Sequence, residues 1–310
     1  MQRDDSPKLA KTRQQIGLSF GDPTRYPLRH MTEPDIRPEQ SPELLKALHI
    51  LTRDGKLNQD SRRKLKQVYH LHQFIEPLLK QLQAERPNFS VVDHGAGKSY
   101  LGFILVDLYL RHHAPQATML SIESRPELVA HAKELADKLG FTQMRFLNQT
   151  VAQAIASDEI EERVDMVTAL HACNTATDDA IRFGLTKKAR YMVLVPCCQA
   201  EVASVLRKNK STQLKDPLTE IWRHPLHTRE FGSQVTNSLR CLQLEAHGYQ
   251  VTVTELVGWE HSMKNELIIA ERKGPAKPVA AARLQAVLER IGLVELKDRF
   301  FVPPTLGQAA

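Results

Sequence analysis

Residues 91–102 constrain the fold of this 310-residue chain more than any other part of the sequence. Two valines lead to an acid, Asp93, which is followed by a Gly-x-Gly turn at Gly95 and Gly97 and then by an apolar run. Glycines in such a turn let the backbone bend tightly and approach a ligand, because no Cβ stands in the way. The pattern predicts a strand, a turn and a helix whose first N–H groups face a cofactor.

Strand and helix signals alternate from residue 88 onward. This alternation predicts an α/β fold with a mostly parallel sheet and helices on both faces. The last two strands, 250–257 and 266–272, are separated by a short loop, so we expect them to pair as an antiparallel hairpin. The remaining strands are expected at 89–93, 118–123, 144–147, 164–170 and 191–196, and helices at 99–113, 126–139, 151–156, 177–186 and 236–247.

Composition divides the chain into four segments. The first is rich in proline and charge and predicts an extended or disordered arm, and the second predicts two helices, one over 42–53 and one that begins with Asp60 as its N-cap. The third is the cofactor-binding domain, and the fourth is a tail with one short helix over 280–291. These segments are residues 1–42, 43–87, 88–273 and 274–310.

The overall composition is that of a soluble globular protein, with 42% hydrophobic and 25% charged residues. No stretch approaches the roughly 18 apolar residues that span a bilayer, so no membrane association is expected. The N-terminal residues are polar and charged, which predicts no signal peptide. Four cysteines, two of them adjacent, do not form a disulfide framework, which favours a cytoplasmic location.

Most of the net charge of +6 lies ahead of the predicted cofactor domain, since residues 1–88 carry 16 Lys/Arg against 11 Asp/Glu. Basic side chains crowd the first turns of the second predicted helix, where cations oppose the helix dipole. Contact with RNA phosphates would explain them, and an ordinary solvated helix face is the alternative. The candidate RNA contacts are Arg62, Arg63, Lys64 and Lys66.

A second acid, Glu123, ends the strand after the glycine turn. An acid at this place accepts hydrogen bonds from the ribose hydroxyls of an adenosine, which suits S-adenosylmethionine (SAM) and also NAD(P). The run Gly97-Lys98-Ser99 imitates an ATP-binding P-loop, but Val92 stands where that loop needs its first glycine. The candidate cofactor-binding residues are Asp93, Gly95, Gly97 and Lys98 for the methionine end, Glu123 for the ribose, Gln149 and Thr150 for the adenine, and His171 near the methyl group.

Three of the four cysteines lie just after two strands that are expected to be neighbours in the sheet. Their side chains would open onto the crevice in which such sheets bind ligands. The group could shape a pocket that positions the acceptor, supply a thiolate that adds to a pyrimidine, hold a metal, or serve the structure alone. Adjacent cysteines without Cys-x-x-Cys spacing argue against the metal. The candidate catalytic residues are His171, Cys173, Asn174, Cys197 and Cys198.

Several separated motifs resemble the bacterial methyltransferase-32 domain family over about residues 60–272. This resemblance implies a Rossmann-like class I methyltransferase fold of seven strands with an N-terminal helical extension, and SAM as the cofactor. The family is in turn similar to the eukaryotic tRNA 2′-O-methyltransferases of the acceptor stem, although Gln199 stands where their Cys-Cys-His run has histidine. The motifs are those of residues 62–68, 93–101, 170–178, 196–199, 222–224 and 261–265.

Together these features predict a SAM-dependent methyltransferase that acts on structured RNA, either tRNA or rRNA. No Asn/Asp-Pro-Pro-aromatic run follows the fourth strand, which argues against methylation of an adenine or glutamine amino group. A small-molecule or protein methyltransferase, and a SAM-binding module without activity, are the alternatives.

Overall fold

The computed structural model describes residues 36–170, 174–196, 199–209, 217–256 and 266–300. They contain a seven-stranded sheet of order β3-β2-β1-β4-β5-β7-β6. Strands β1 to β5 pair in parallel, and β7 runs antiparallel to both β5 and β6. The predicted fold class and its closing hairpin are therefore confirmed. The strands are β1 Ser90–His94, β2 Thr118–Glu123, β3 Met144–Asn148, β4 Met166–Leu170, β5 Tyr191–Val195, β6 Tyr249–Glu255 and β7 Glu266–Arg272.

Helices cover both faces of the sheet. The N-terminal pair is α1 Pro42–Ala47 and α2 Gln59–Glu85. After β1, α3 Tyr100–Leu105 continues through a π-helical turn, Val106–Leu110, into α4 Arg111–His113. The later helices are α5 Pro126–Leu139, α6 Val151–Ala156, α7 Ala176–Thr186, α8 Glu201–Lys208, α9 Pro225–Ala246, α10 Pro278–Arg290 and α11 Lys297–Phe300, with 3₁₀ turns at Pro217–Trp222 and Val294–Leu296.

The two faces of the sheet bury separate apolar clusters. Successive residues of β1 point to opposite faces, so Val91 lies in the cluster under α2 and α3 while Val92 lies in the cluster under α7. A third cluster joins α8, α9 and α10 beyond the edge of the sheet. This arrangement leaves the carboxyl ends of the parallel strands, where the predicted site residues lie, at one edge.

Helix α2 is 27 residues long and starts earlier than the sequence predicts. Its N-cap is Asn58, whose side chain accepts a hydrogen bond from the Ser61 N–H at 2.8 Å. The predicted cap, Asp60, instead lies inside the helix and pairs with Lys64 at 2.9 Å. Asp60 lies one helical turn before Lys64 on the same face, so the two side chains form an ion pair. The unpaired backbone N–H groups at the start of the helix lie within reach of Asn58 instead. Its apolar side packs into the same core as β1, so the boundary predicted at residue 88 separates elements that share a core.

Three of the predicted helices have other bounds in the structure. Helix α1 ends at Ala47 rather than near residue 53, α9 begins at Pro225 rather than near residue 236, and α10 begins at Pro278. Most of the predicted N-terminal arm lies outside the described residues. Among the described residues, no helix is both long and apolar enough to cross a membrane. The cytoplasmic location stays a prediction.

Candidate cofactor site

The turn between β1 and α3 has the backbone conformation that its glycines predict. Gly95 has a φ of 66°, Gly97 has a φ of 58°, and the chain then enters α3 at Tyr100. A Cβ placed on Gly95 would meet no atom within 4 Å, so the space above the turn is open to a ligand. The Ala96 N–H donates to the Ile122 carbonyl at 3.0 Å, which holds the turn against the end of β2.

Glu123 lies beside this turn at the end of β2. Its Oε2 accepts a hydrogen bond from the Gly97 N–H at 2.8 Å, and its Oε1 accepts from the Arg125 N–H at 3.0 Å. Arg125 also pairs with both oxygens through its guanidinium. Burial alone would raise the pKa of Glu123, but these hydrogen bonds outweigh it and lower the pKa to about 2. The carboxylate is therefore ionised and able to accept hydrogen bonds from the two hydroxyl groups of a ribose.

Asp93 lies beneath the turn rather than facing the open space above it. Its carboxyl is 2% exposed and accepts a hydrogen bond from Thr168 Oγ1 of β4 at 2.8 Å. Burial raises the pKa of Asp93 to about 7, against the lowering effect of Thr168 and the Gly102 N–H. The side chain thus joins β1, β4 and α3 and supports the turn. Direct contact of Asp93 with the methionine end of SAM stays a prediction.

Gln149, which the sequence predicts to contact the adenine, has one unsatisfied side-chain atom. The Gln149 N–H donates to the Glu123 carbonyl at 3.2 Å, and Gln149 Nε2 donates to Ser157 Oγ at 3.3 Å. Gln149 Oε1 is buried and has no hydrogen-bond partner among the described residues. A buried acceptor without a partner is costly, and an exocyclic amino group would satisfy it. The open turn, Glu123 and this oxygen all fit the three parts of SAM.

Thr150 and Lys98 are the other two predicted cofactor contacts that belong to the described residues and lie near the turn or the end of β3. Thr150 is the N-cap of α6. Its Oγ1 accepts a hydrogen bond from the Gln153 N–H, and Gln153 Oε1 accepts one from the Thr150 N–H. This reciprocal cap already uses the threonine side chain. Lys98 is exposed on the turn.

Of the predicted catalytic residues, Asn174 alone belongs to the described part of the chain; His171, Cys173, Cys197 and Cys198 lie outside it. Strands β4 and β5 are neighbours, with Leu170 opposite Val195, so the segments that follow them start side by side as expected. Asn174 adopts a φ of 52°, and its Oδ1 accepts a hydrogen bond from the Ala200 N–H at 3.3 Å. The asparagine thus links the segment after β4 to the segment after β5.

His94, at the end of β1, is a buried polar residue that the sequence reasoning did not single out. It follows Asp93 directly, points to the other face of the sheet, and lies against the Phe183 ring at 5.4 Å. The side chain is buried, and neither ring nitrogen has a hydrogen-bond partner in the described part of the chain. Burial lowers its pKa to about 4, although Glu123 acts in the opposite direction. A polar residue at the last position of a buried strand was the signal in the sequence.

The buried ring of His94 predicts a loss of stability in acid. The pKa falls from about 6.5 in the unfolded chain to about 4 in the fold, so the unfolded state binds the proton more readily. Its contribution is complete above pH 6.5 and is lost as the pH falls towards 4. When the pH is lowered from 7 to 4.5, the free energy of unfolding should fall by about 2–3 kcal/mol less in His94→Phe than in wild type. Urea titrations at the two pH values measure this difference. His131→Phe, which removes an exposed ring, should follow wild type, and equal losses in all three proteins would contradict this account.

The basic residues of α2 lie near the cofactor turn. Leu65 and Tyr69 of α2 share a cluster with Ile104, and Tyr100, the first residue of α3, packs against it. Arg62 and Arg63 are exposed and form no ion pair within the described residues. The first turns of α2 therefore project from the same edge of the sheet as the turn.

Part of the chain matches a known family, and a larger part aligns with curated relatives. Residues 63–205 match the model of a family described as a methyltransferase domain. The chain is similar to the glutathione S-transferase C-terminal domain-containing proteins of Bos taurus and Homo sapiens, with 24% identity over 244 and 240 residues. Each alignment covers 71% of this chain and 35% of the relative, so the chain spans about a third of the length of these relatives.

Two solved structures have low overall similarity to this chain. Aeropyrum pernix fibrillarin, in complex with natively bound S-adenosyl-L-methionine, has a TM-score of 0.37 and 13% identity over 64% of this chain and 74% of that chain. A SAM-dependent methyltransferase from Aquifex aeolicus has a TM-score of 0.36 and 15% identity over 63% and 87%. Residues 63–205 thus match the methyltransferase-32 family model, and the strand order, with β7 antiparallel to its neighbours, is that of the class I fold of SAM-dependent methyltransferases.

Proposed function

We propose that the chain transfers a methyl group from SAM to structured RNA. The observation that carries the RNA part is a basic elbow, residues 46–66, which comprises the end of α1, the connection and the first turns of α2. It contains seven Lys/Arg and two Asp/Glu, so it holds nearly all of the chain's net charge of +6. Lys64 is engaged by Asp60, whereas Arg62 and Arg63 are free to contact phosphates.

The position of the elbow supports this proposal. A substrate must reach the edge of the sheet at which the methyl group is presented, and the first turns of α2 project from that edge. Arginine forks suit phosphate oxygens, and a duplex presents a regular row of them. An RNA held at the elbow would therefore extend across the cofactor turn.

The chemistry requires little of the protein beyond binding and positioning. SAM, when bound, supplies an activated methyl group to an in-line nucleophile. Glu123 would hold the ribose, Gln149 the adenine, and the Gly95–Gly97 backbone the methionine end. His171, Cys173, Asn174, Cys197 and Cys198 would position the accepting atom.

Charge reversal at the elbow tests the RNA proposal. The double variant Arg62→Glu/Arg63→Glu should weaken binding of labelled bulk tRNA or rRNA fragments by about tenfold or more. The slope of log Kd against log salt concentration should fall by about 1.5–2, because two phosphate contacts are lost. Fluorescence anisotropy at salt concentrations between about 50 and 200 mM gives both quantities.

A matched control shows whether the loss of RNA affinity is specific to the elbow or follows from the change in net charge. Lys133→Glu/Lys138→Glu makes the same charge change on the exposed face of α5 and should shift RNA affinity much less. Equal weakening by both variants, or unchanged binding in the elbow variant, would refute the RNA assignment. SAM binding without salt-dependent RNA affinity would favour a small-molecule or protein substrate. Nucleoside mass spectrometry of RNA from deletion and wild-type cells would then identify the methylated nucleoside if RNA is the substrate.

A further inference from the structure

A fully buried arginine contacts residues that lie close in sequence to the predicted catalytic residues. Arg240, on α9, is 1% exposed. Its Nε and Nη2 donate to the two carboxylate oxygens of Asp178 at 2.7 and 2.8 Å, and Nη2 also donates to the Asn174 carbonyl at 2.9 Å. Asp178 is in the first turn of α7. Arg240 therefore holds the chain that follows β4 at two points.

Asn237, one turn before Arg240, extends the same network to two further elements. Its Oδ1 accepts a hydrogen bond from Arg240 Nη1 at 3.1 Å and lies 2.6 Å from Gln199 Nε2. Its Nδ2 donates to Glu266 Oε2 at 2.5 Å. Turning the Gln199 amide over would place its oxygen 3.0 Å from Arg240 Nη1, so either orientation keeps Gln199 in contact with the network.

These partners belong to three different segments. Asn174 follows β4, Gln199 follows β5, and Glu266 is the first residue of β7. Because β5 and β7 are antiparallel neighbours, the end of β5 and the start of β7 meet at the same edge of the sheet. Two side chains on one helix thus contact the ends of three segments at that edge.

A contribution to the stability of the fold does not by itself explain the buried Arg240–Asp178 pair. Removing both charges from water costs about as much as their attraction returns, and an apolar pair of similar volume is often equally stable. Buried polar networks instead specify one arrangement of the groups that they join, because every member must keep its partners. Arg240 also donates to the carbonyl of Asn174, whose backbone has the left-handed conformation that asparagine tolerates.

We propose that Asn237 and Arg240 are positioning residues for methyl transfer, which fix the ends of the segments after β4, after β5 and before β7 in one arrangement. The inference rests on the methyl transfer proposed above but not on the identity of the acceptor. Neither residue is expected to touch SAM or the substrate. Their effect would act through the neighbouring segments, which contain His171, Cys173, Cys197 and Cys198.

Hydrogen–deuterium exchange of the full chain tests this inference without a substrate. In Asn237→Ala, the peptides that contain Ala200 and Glu266 should exchange at least about tenfold faster, while the peptide that contains Asn174 keeps its rate, because Arg240 still holds it. In Arg240→Lys, which retains a charge opposite Asp178 but loses the guanidinium fork, the Asn174 peptide should also exchange faster. Strands β1 to β3 should not change in either variant.

Leu284→Ala is the control, because it removes a buried side chain of α10 from the cluster shared with α9 but leaves the network intact. It should lower the melting temperature without the selective exchange pattern. The same pattern in Leu284→Ala, or unchanged exchange of the three peptides in both network variants, would overturn the proposal. Once an acceptor is known, Arg240→Lys should lower kcat by about tenfold or more while the SAM Kd stays within about twofold. A fall in SAM affinity with unchanged kcat would also overturn it.

Discussion

Glu123→Ala is expected to weaken SAM binding by about 100-fold. We propose that the carboxylate accepts hydrogen bonds from both ribose hydroxyls, and each hydrogen bond to a charged group contributes roughly 1.5–3 kcal/mol. A loss of about 3 kcal/mol corresponds to about two orders of magnitude in Kd. Calorimetric titration with SAM and with NAD measures the effect and also separates the two adenosine cofactors.

Two further variants show whether this loss is specific to the ribose contact. Glu127→Ala removes an exposed carboxylate from the first turn of α5 and should leave the SAM Kd within about twofold. Arg125→Ala frees Glu123 from a guanidinium that is 60% exposed. Because such an exposed ion pair contributes only about 0–1 kcal/mol, SAM affinity should be unchanged or up to about fivefold higher. Normal SAM binding by Glu123→Ala would show that the ribose assignment is wrong.

Gly248→Ala is expected to cause a large loss of stability. Gly248 connects α9 to β6 with a φ of 87°, and a Cβ there would lie 2.1 Å from the Gly274 carbonyl oxygen and 2.5 Å from that of Pro275. Both obstacles are backbone atoms, so the connection itself must move. Left-handed strain of about 1–2 kcal/mol and overpacking of about 1–3 kcal/mol together predict a loss of about 3–5 kcal/mol in urea unfolding.

Gly140→Ala separates the backbone strain from the steric overlap of the added Cβ. Gly140 ends α5 with a φ of 68°, but a Cβ there meets nothing within 4 Å. This variant should therefore lose only the backbone contribution of about 1–2 kcal/mol. If the two alanine variants are equally stable, the steric account of Gly248 fails. Because α9 ends at this connection, Gly248→Ala should also disturb the network of Asn237 and Arg240.

Elements with strong local signals were predicted closely. Helix α5 begins and ends where the sequence places it, since Pro126 suits the first turn of a helix and Gly140 adopts the left-handed conformation that ends one. Strands β2 and β7 also have their predicted bounds. These signals act within a few residues of each element and do not depend on the rest of the fold.

Helix α9 shows where local signals are insufficient. It begins at Pro225, eleven residues before the predicted start, although its first half contains Gly232 and other weak helix formers. A Cβ on Gly232 would lie 2.8 Å from the Cβ of Ala203 in α8. This close packing of two helices stabilises the segment, and it compensates for poor intrinsic propensity.

The sequence by itself determined the α/β class, the closing hairpin, the glycine turn and the acid at the end of β2, because each depends on residue type and short-range spacing. The tertiary structure alone decided how the site is supported. It buried Asp93 beneath the turn, left His94 without a hydrogen-bond partner among the described residues, and joined Asn174, Gln199 and Glu266 through Asn237 and Arg240. Such contacts unite residues that lie up to 92 positions apart along the chain (Asn174 to Glu266), and only packing of the whole sheet brings them together.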